Sequence, residues 1–155
     1  MMSDAARAVI TRLKERKLTL CTAESCTGGL IGKLLTDVAG SSAVYLGGFI
    51  SYTNDVKQKL LGVRADTLKA FTAVSAETAG EMAIGARLAL GADIAVSVTG
   101  LAGPDGDGTG RPVGLVYIAI STDDETIVHE LHLLGDREKI RSQAAEAVLR
   151  LILQQ

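Results

Sequence analysis

LTLCTAESCTGGLIGKLLTDVAG, residues 18–40, is the stretch that decides the fold. Leu18 to Thr22 is a short apolar run, bounded by charge before it and by the turn Glu24–Gly29 after it, which predicts a buried strand. Beyond Gly28 and Gly29, the residues Leu30, Ile31, Leu34, Leu35 and Val38 recur at helical spacing. Gly40 supplies the stop signal, so the helix is expected to end near Ala39–Gly40. A strand that runs through a glycine turn into an amphipathic helix is a building block of α/β architecture.

Working outward, Ala5, Ala8, Val9 and Leu13 sit between charges over Asp4–Arg16, the pattern of a surface helix. Ala43–Tyr52 is rich in β-formers and reads as a second strand, with a bulge or close backbone approach at Gly47–Gly48. Asn54 is placed to cap a helix from Asp55 to about Leu61. Arg64–Phe71 and Ala76–Leu90 are two more helices, the second preceded by Ser75 and stopped by Gly91. Ile94–Val98 is a β-branched strand. After a glycine-dense loop, Val113–Ser121 and Thr126–Leu134 form an antiparallel pair across Asp123–Glu125. The final helix, Asp136–Leu153, puts Ile140, Ala144, Ala147, Val148, Leu151 and Ile152 on one face. The expected fold is a three-layer α/β/α sandwich with a mostly parallel, mixed five-stranded sheet. No repeat or long linker divides residues 1–155, so one domain is expected.

At 155 residues and 47% hydrophobic, the chain can bury a core without disulfides or metals. Aromatics are only 3%, so that core is built from Ala, Val, Ile and Leu. A net charge of −2, from 16 basic and 18 acidic side chains, offers no extended positive field for phosphate backbones, which argues against a nucleic-acid partner. No run approaches about 18 consecutive apolar residues and no leader pattern opens the chain, so neither a membrane span nor secretion is expected. Cys21 and Cys26 make no disulfide framework or zinc set, which suits a reducing cytoplasm. The Ala- and Leu-rich helix faces point to a homo-oligomer, a dimer first.

Ser25 stands where the buried strand turns into the helix. Unpaired N–H groups and the positive dipole end at such a turn can hold a phosphate or a developing oxyanion. Equally, Ser25 and Thr27 can be helix-capping hydroxyls with the glycines serving packing, and local sequence does not separate the two readings. A serine nucleophile needs a base. His129 and His132 fall on one strand with an odd separation, which points them to opposite faces, and neither has an evident Asp partner or a zinc-like set around it.

Lys57 is the better candidate, in the first turn of a helix whose dipole disfavours a further positive charge. A neutral lysine at neutral pH needs its pKa lowered by about three units, roughly 4 kcal/mol, from near 10.4. A dipole supplies at most about 2 kcal/mol, so burial or a second cation must contribute. Tyr52, just upstream, could pass a proton or hold substrate; the plain alternative is a surface lysine and a core tyrosine. Thr99–Gly114 carries the G-x-x-G-P-D-G pattern of a backbone anion nest, lacks the Gly-Lys-Ser/Thr of a Walker loop, and holds Asp105 and Asp107 as only part of a calcium loop. Arg137 either clamps a phosphate or sits in solvent.

The segments TAESCTGG (22–29), GSS (40–42), SYTNDVK (51–57), AVS (73–75), TGLAGPDG (99–106), PVG (112–114) and GDRE (135–138) occur in that order. Together they resemble the CinA C-terminal domain family, which includes the stand-alone nicotinamide mononucleotide deamidases. The match runs from about Leu18 to Gln155. That resemblance implies hydrolysis of the carboxamide of a pyridine mononucleotide, giving nicotinate mononucleotide and ammonia, with no cofactor and no metal. By motif, it implies Ser25 as nucleophile, Lys57 as base and Tyr52 as its partner. A substrate site is expected around Glu24, Thr27, Gly28, Gly29, Asn54, Thr99, Gly100, Gly103 and Arg137, with N–H groups of Thr27–Gly29 on the oxyanion and the 99–106 loop or Arg137 on the phosphate. Two competing readings remain: Cys26 as a thiolate nucleophile, and a nucleotide-binding regulatory module without turnover.

Overall fold

A computed structural model describes all residues, Met1–Gln155. The elements are α1 (Met2–Arg16), β1 (Leu20–Glu24), α2 (Leu30–Thr36), β2 (Tyr45–Ile50), α3 (Asn54–Leu61), α4 (Ala65–Phe71), α5 (Ala76–Leu90), β3 (Ile94–Gly100), β4 (Leu115–Ser121), β5 (Thr126–His132) and α6 (Arg137–Leu153). The sheet order is β2-β1-β3-β4-β5. β1 pairs in parallel with β2 and β3, while β3–β4 and β4–β5 are antiparallel, so β4 alone runs against the other four strands. This is the expected mixed five-stranded sheet between helical layers.

Alternation along β1 feeds both layers. Leu20 joins the larger apolar cluster with α1, α2 and α6, whereas Cys21 and Ala23 join the second one with Leu61, Met82 and Ala86. Every residue of β1 is buried, as a central strand covered on both faces requires. Polar groups inside are paired: the Thr22 and Tyr45 hydroxyls lie 2.7 Å apart, and Ser97 Oγ donates to Ala79 O at 2.6 Å. On the second face α5 approaches closely through small residues. A Cβ added at Gly85 would stand 1.8 Å from Leu61 O, so glycine is what lets α3 end against α5. No helix is long and apolar enough to cross a membrane.

Several boundaries differ from expectation for identifiable reasons. β1 runs on through Ala23 and Glu24, which pair with Phe49 and Ile50 on one side and with Ser97 and Val98 on the other. A charged residue therefore ends a buried strand rather than opening the turn. α2 stops at Thr36, and a 3₁₀ turn over Ser41–Ala43, entered through Gly40 at φ +84°, occupies the start expected of β2. Asn54 is not the cap of α3; it is the first helical residue, and Thr53 Oγ1 accepts from Val56 N–H at 3.3 Å. Ser75 caps α5, accepting from Thr78 N–H at 3.1 Å, while Asp136, expected as the first residue of the last helix, is instead the cap of α6, accepting from Lys139 N–H at 2.9 Å.

Candidate active site

At the end of β1, Glu24 is 2% exposed. Its Oε1 accepts from the Thr27 hydroxyl at 2.7 Å, Gly29 N–H at 3.2 Å and Ile31 N–H at 2.9 Å, and its Oε2 accepts from Gly32 N–H at 3.0 Å. A buried carboxylate is tolerable only when its lone pairs are satisfied, and here the first turn of α2 satisfies them. The helix start that sequence reading offered to a substrate is thus occupied by the chain itself. Gly28 N–H is also committed, to Ser25 O at 3.0 Å. From α6, Arg141 donates to Cys26 O at 3.0 Å and Thr27 O at 2.9 Å, fixing the turn from behind. That arginine carries no signal in sequence, because it is 115 residues away from the turn it holds. The N–H groups of Cys26 and Thr27 have no protein acceptor.

Between these contacts Ser25 is fixed, with its N–H donating to Val98 O at 3.0 Å and its side chain 7% exposed. Lys57, 1% exposed, reaches it from α3: Nζ lies 3.0 Å from Ser25 Oγ, 2.8 Å from Ser51 O and 3.3 Å from Tyr52 O. The strand end and helix start that flank Thr53 place both the amine and its two carbonyl partners. Burial pushes the Lys57 amine down from its ordinary 10.5 to about 8, against a smaller opposing influence of Cys26. Of the two causes that sequence reasoning required, burial or a second cation, burial is the one present. Burial likewise pushes the Cys26 thiol up to about 11, which disfavours a thiolate there at neutral pH.

Ser25, Cys26, Tyr52, Lys57, Thr99, Gly100, Gly103 and Arg137 line one cleft of about 290 Å³, with Ala73, Val74 and the 101–107 stretch of the glycine loop forming its walls. That volume suits a small molecule rather than a polymer. Glu24, Thr27, Gly28, Gly29 and Asn54 do not line it. The Tyr52 phenol is turned to Arg137, which donates to it at 3.2 Å and to Gly103 O at 2.6 Å; only the Tyr52 carbonyl meets Lys57. Arg137 therefore bridges two sides of the cleft mouth. Thr99 Oγ1 donates to Ala73 O at 2.7 Å, tying the end of β3 to the segment between α4 and α5. In that loop Asp107 accepts from Thr109 N–H at 3.0 Å, and no third carboxylate, histidine or thiol joins Asp105 and Asp107.

Sequence reasoning missed Arg141 and the lining role of Ala73 and Val74, although the motif AVS (73–75) had marked the latter pair. His129 and His132 are exposed on β5, the sheet edge farthest in strand order from β2.

A serine beside a depressed-pKa lysine thus lines a small cleft, and the chain as a whole is similar to several known proteins. The chain is 52% identical over 141 residues to a CinA-like protein of Leptospira borgpetersenii serovar Hardjo-bovis (strain L550), covering 90% of this chain and 34% of that one. It is 50% identical over 137 residues to a CinA-like protein of Kosmotoga olearia, covering 88% and 33%. The chain spans about a third of the length of these curated relatives. Among solved structures, competence/damage inducible protein CihA from Agrobacterium tumefaciens is 43% identical with a TM-score of 0.95, covering 99% of this chain and 94% of that one. A competence-damaged protein (CinA) superfamily protein from Escherichia coli is 34% identical with a TM-score of 0.97, covering 99% and 90%. With its family model matching residues 2–155, the chain belongs to the CinA C-terminal domain family.

Proposed function

We propose that this chain hydrolyses the exocyclic carboxamide of nicotinamide mononucleotide, releasing ammonia and nicotinate mononucleotide through Ser25 and Lys57, in pyridine nucleotide salvage. The observation that carries the reading is the buried Lys57 amine, 3.0 Å from Ser25 Oγ with a pKa near 8. A neutral amine has two N–H bonds and one lone pair. With the N–H bonds directed to Ser51 O and Tyr52 O, the lone pair is left for the Ser25 hydroxyl proton.

As Ser25 Oγ bonds to the carboxamide carbon, its proton passes to Nζ, and the oxygen of the tetrahedral intermediate takes the charge. The Cys26 N–H, on the cleft lining, is the free donor nearest in sequence to receive it, in place of the expected Thr27–Gly29 set. Collapse breaks the C–N bond, and Lys57 returns the proton to the departing ammonia. Water then attacks the ester, with Lys57 again accepting a proton and Ser25 regenerated. Arg137 and the N–H groups of the 102–106 stretch are the candidate partners of the substrate phosphate. In this reading Tyr52 holds Arg137 rather than the reacting proton. A small-molecule substrate, a cytoplasmic setting and assembly with a second copy of the chain belong to the same reading.

The test is ammonia release from nicotinamide, its riboside, the mononucleotide and the dinucleotide, by the parent chain and by Ser25→Ala and Lys57→Met. The mononucleotide should be preferred, and each variant should lose about 10³-fold or more in kcat while remaining folded by circular dichroism. Parent-like turnover in either folded variant refutes the dyad. Tight binding of pyridine nucleotides with no ammonia released by the parent chain would favour the regulatory module instead.

A further inference from the structure

Thr72, in the corner between α4 and α5, has φ +70° and ψ 176°. That region is nearly glycine-only, and a β-branched residue there is strained unless its surroundings hold it. They do. Thr72 N–H donates to Leu68 O at 3.0 Å, and Thr72 O accepts from Ser75 Oγ at 3.1 Å and Thr78 Oγ1 at 2.7 Å. The remaining hold comes from across the molecule: Arg111, at the far end of the glycine-dense loop, donates to Thr72 Oγ1 at 2.7 Å, to Phe71 O at 3.0 Å and to Val74 O. The two residues that follow Thr72 are the cleft-lining Ala73 and Val74, and the loop that Arg111 closes supplies much of the remaining wall.

We infer that Arg111 is a positioning residue for the reaction: by fastening the strained Phe71–Val74 corner to the end of the glycine-rich loop, it sets the wall against which substrate is held. Arg111 itself does not line the cleft, so it acts through Ala73, Val74 and the loop. All three contacts run to one terminal nitrogen, Nη1, so a lysine ammonium that reaches the corner can make some of them. The chemical step at Ser25 and Lys57 does not pass through it. Loss of Arg111 is therefore felt in substrate binding before it is felt in turnover.

This inference rests on the amidase reading, and the experiment separates the two. Arg111→Ala, Arg111→Lys and Thr72→Gly are compared with the parent for ammonia release, melting temperature and hydrogen exchange. Arg111→Ala should raise KM about tenfold with kcat changed less than about threefold, and Arg111→Lys should recover part of the loss. Thr72→Gly relieves the backbone strain while deleting the hydroxyl, so its melting temperature should hold or rise while KM rises. Exchange should quicken over 71–75 and 101–111 only. KM at the parent value in both Arg111→Ala and Thr72→Gly overturns the inference, as does a fall in kcat matching or exceeding the rise in KM. Exchange that quickens throughout α5 and β3 also overturns it, since Arg111 would then be a general stability residue. If the parent releases no ammonia from any pyridine nucleotide, the amidase reading fails, while the exchange pattern still decides whether Arg111 holds the wall.

Discussion

At the scale of single residues, the site depends on two buried charges managed in opposite ways. Glu24 accepts from four donors around the start of α2, so its buried carboxyl is satisfied locally. Glu24→Gln keeps the size but directs an NH₂ group at N–H donors, and should cost about 2–3 kcal/mol of stability, measured by urea denaturation, because paired donors become opposed. Lys57 has no carboxylate partner, and its charge is disfavoured by burial. Its folded pKa of about 8 lies below an unfolded value of about 10.4, so the unfolded chain binds more protons between those values. Stability therefore rises with pH from about 8 to about 10.4, and that rise should vanish in Lys57→Met. By the same titration, kcat/KM for amide hydrolysis should climb as pH passes through about 8, since only the neutral amine takes the Ser25 proton. A flat profile between pH 7 and 9 would remove Lys57 from the role of base.

Among the elements, the small residues of α5 decide how near α3 can come. Gly85 faces Leu61 O at a distance no Cβ can occupy, so Gly85→Ala must push α3 outward. Overpacking of this kind costs about 1–3 kcal/mol. Because Lys57 rides on α3, the same variant should also lose activity out of proportion to its stability loss, checked by assaying well below its melting temperature. Arg137, the first residue of α6, spans the cleft mouth between Tyr52 and Gly103. Arg137→Ala should raise KM for the mononucleotide by about tenfold or more and leave the riboside nearly unaffected, if its guanidinium serves the phosphate. Equal losses on both substrates would restrict it to bridging the two loops.

In the whole molecule, what was legible in the sequence follows local rules. The strand, glycine turn and helix of residues 18–40, the Ser75 cap, the hairpin of β4 and β5, and the mixed sheet all come from periodicity, capping chemistry and turn residues acting within a few positions. Ser25 and Lys57 were legible as candidates for the same reason: each sits at a recognisable element boundary. What only the tertiary structure decided is where groups distant in the chain meet. Glu24, which reads as a turn residue beside the site, became the cap that closes the α2 N-terminus, because the first-turn N–H groups of α2 converge on its carboxylate. Tyr52 was turned to Arg137, 85 positions away, and Arg141 and Arg111 were brought to turns that nothing near them in sequence announces. The Lys57 pKa was set in the same manner, since burial is a property of the packed molecule and not of the SYTNDVK segment that carries the lysine.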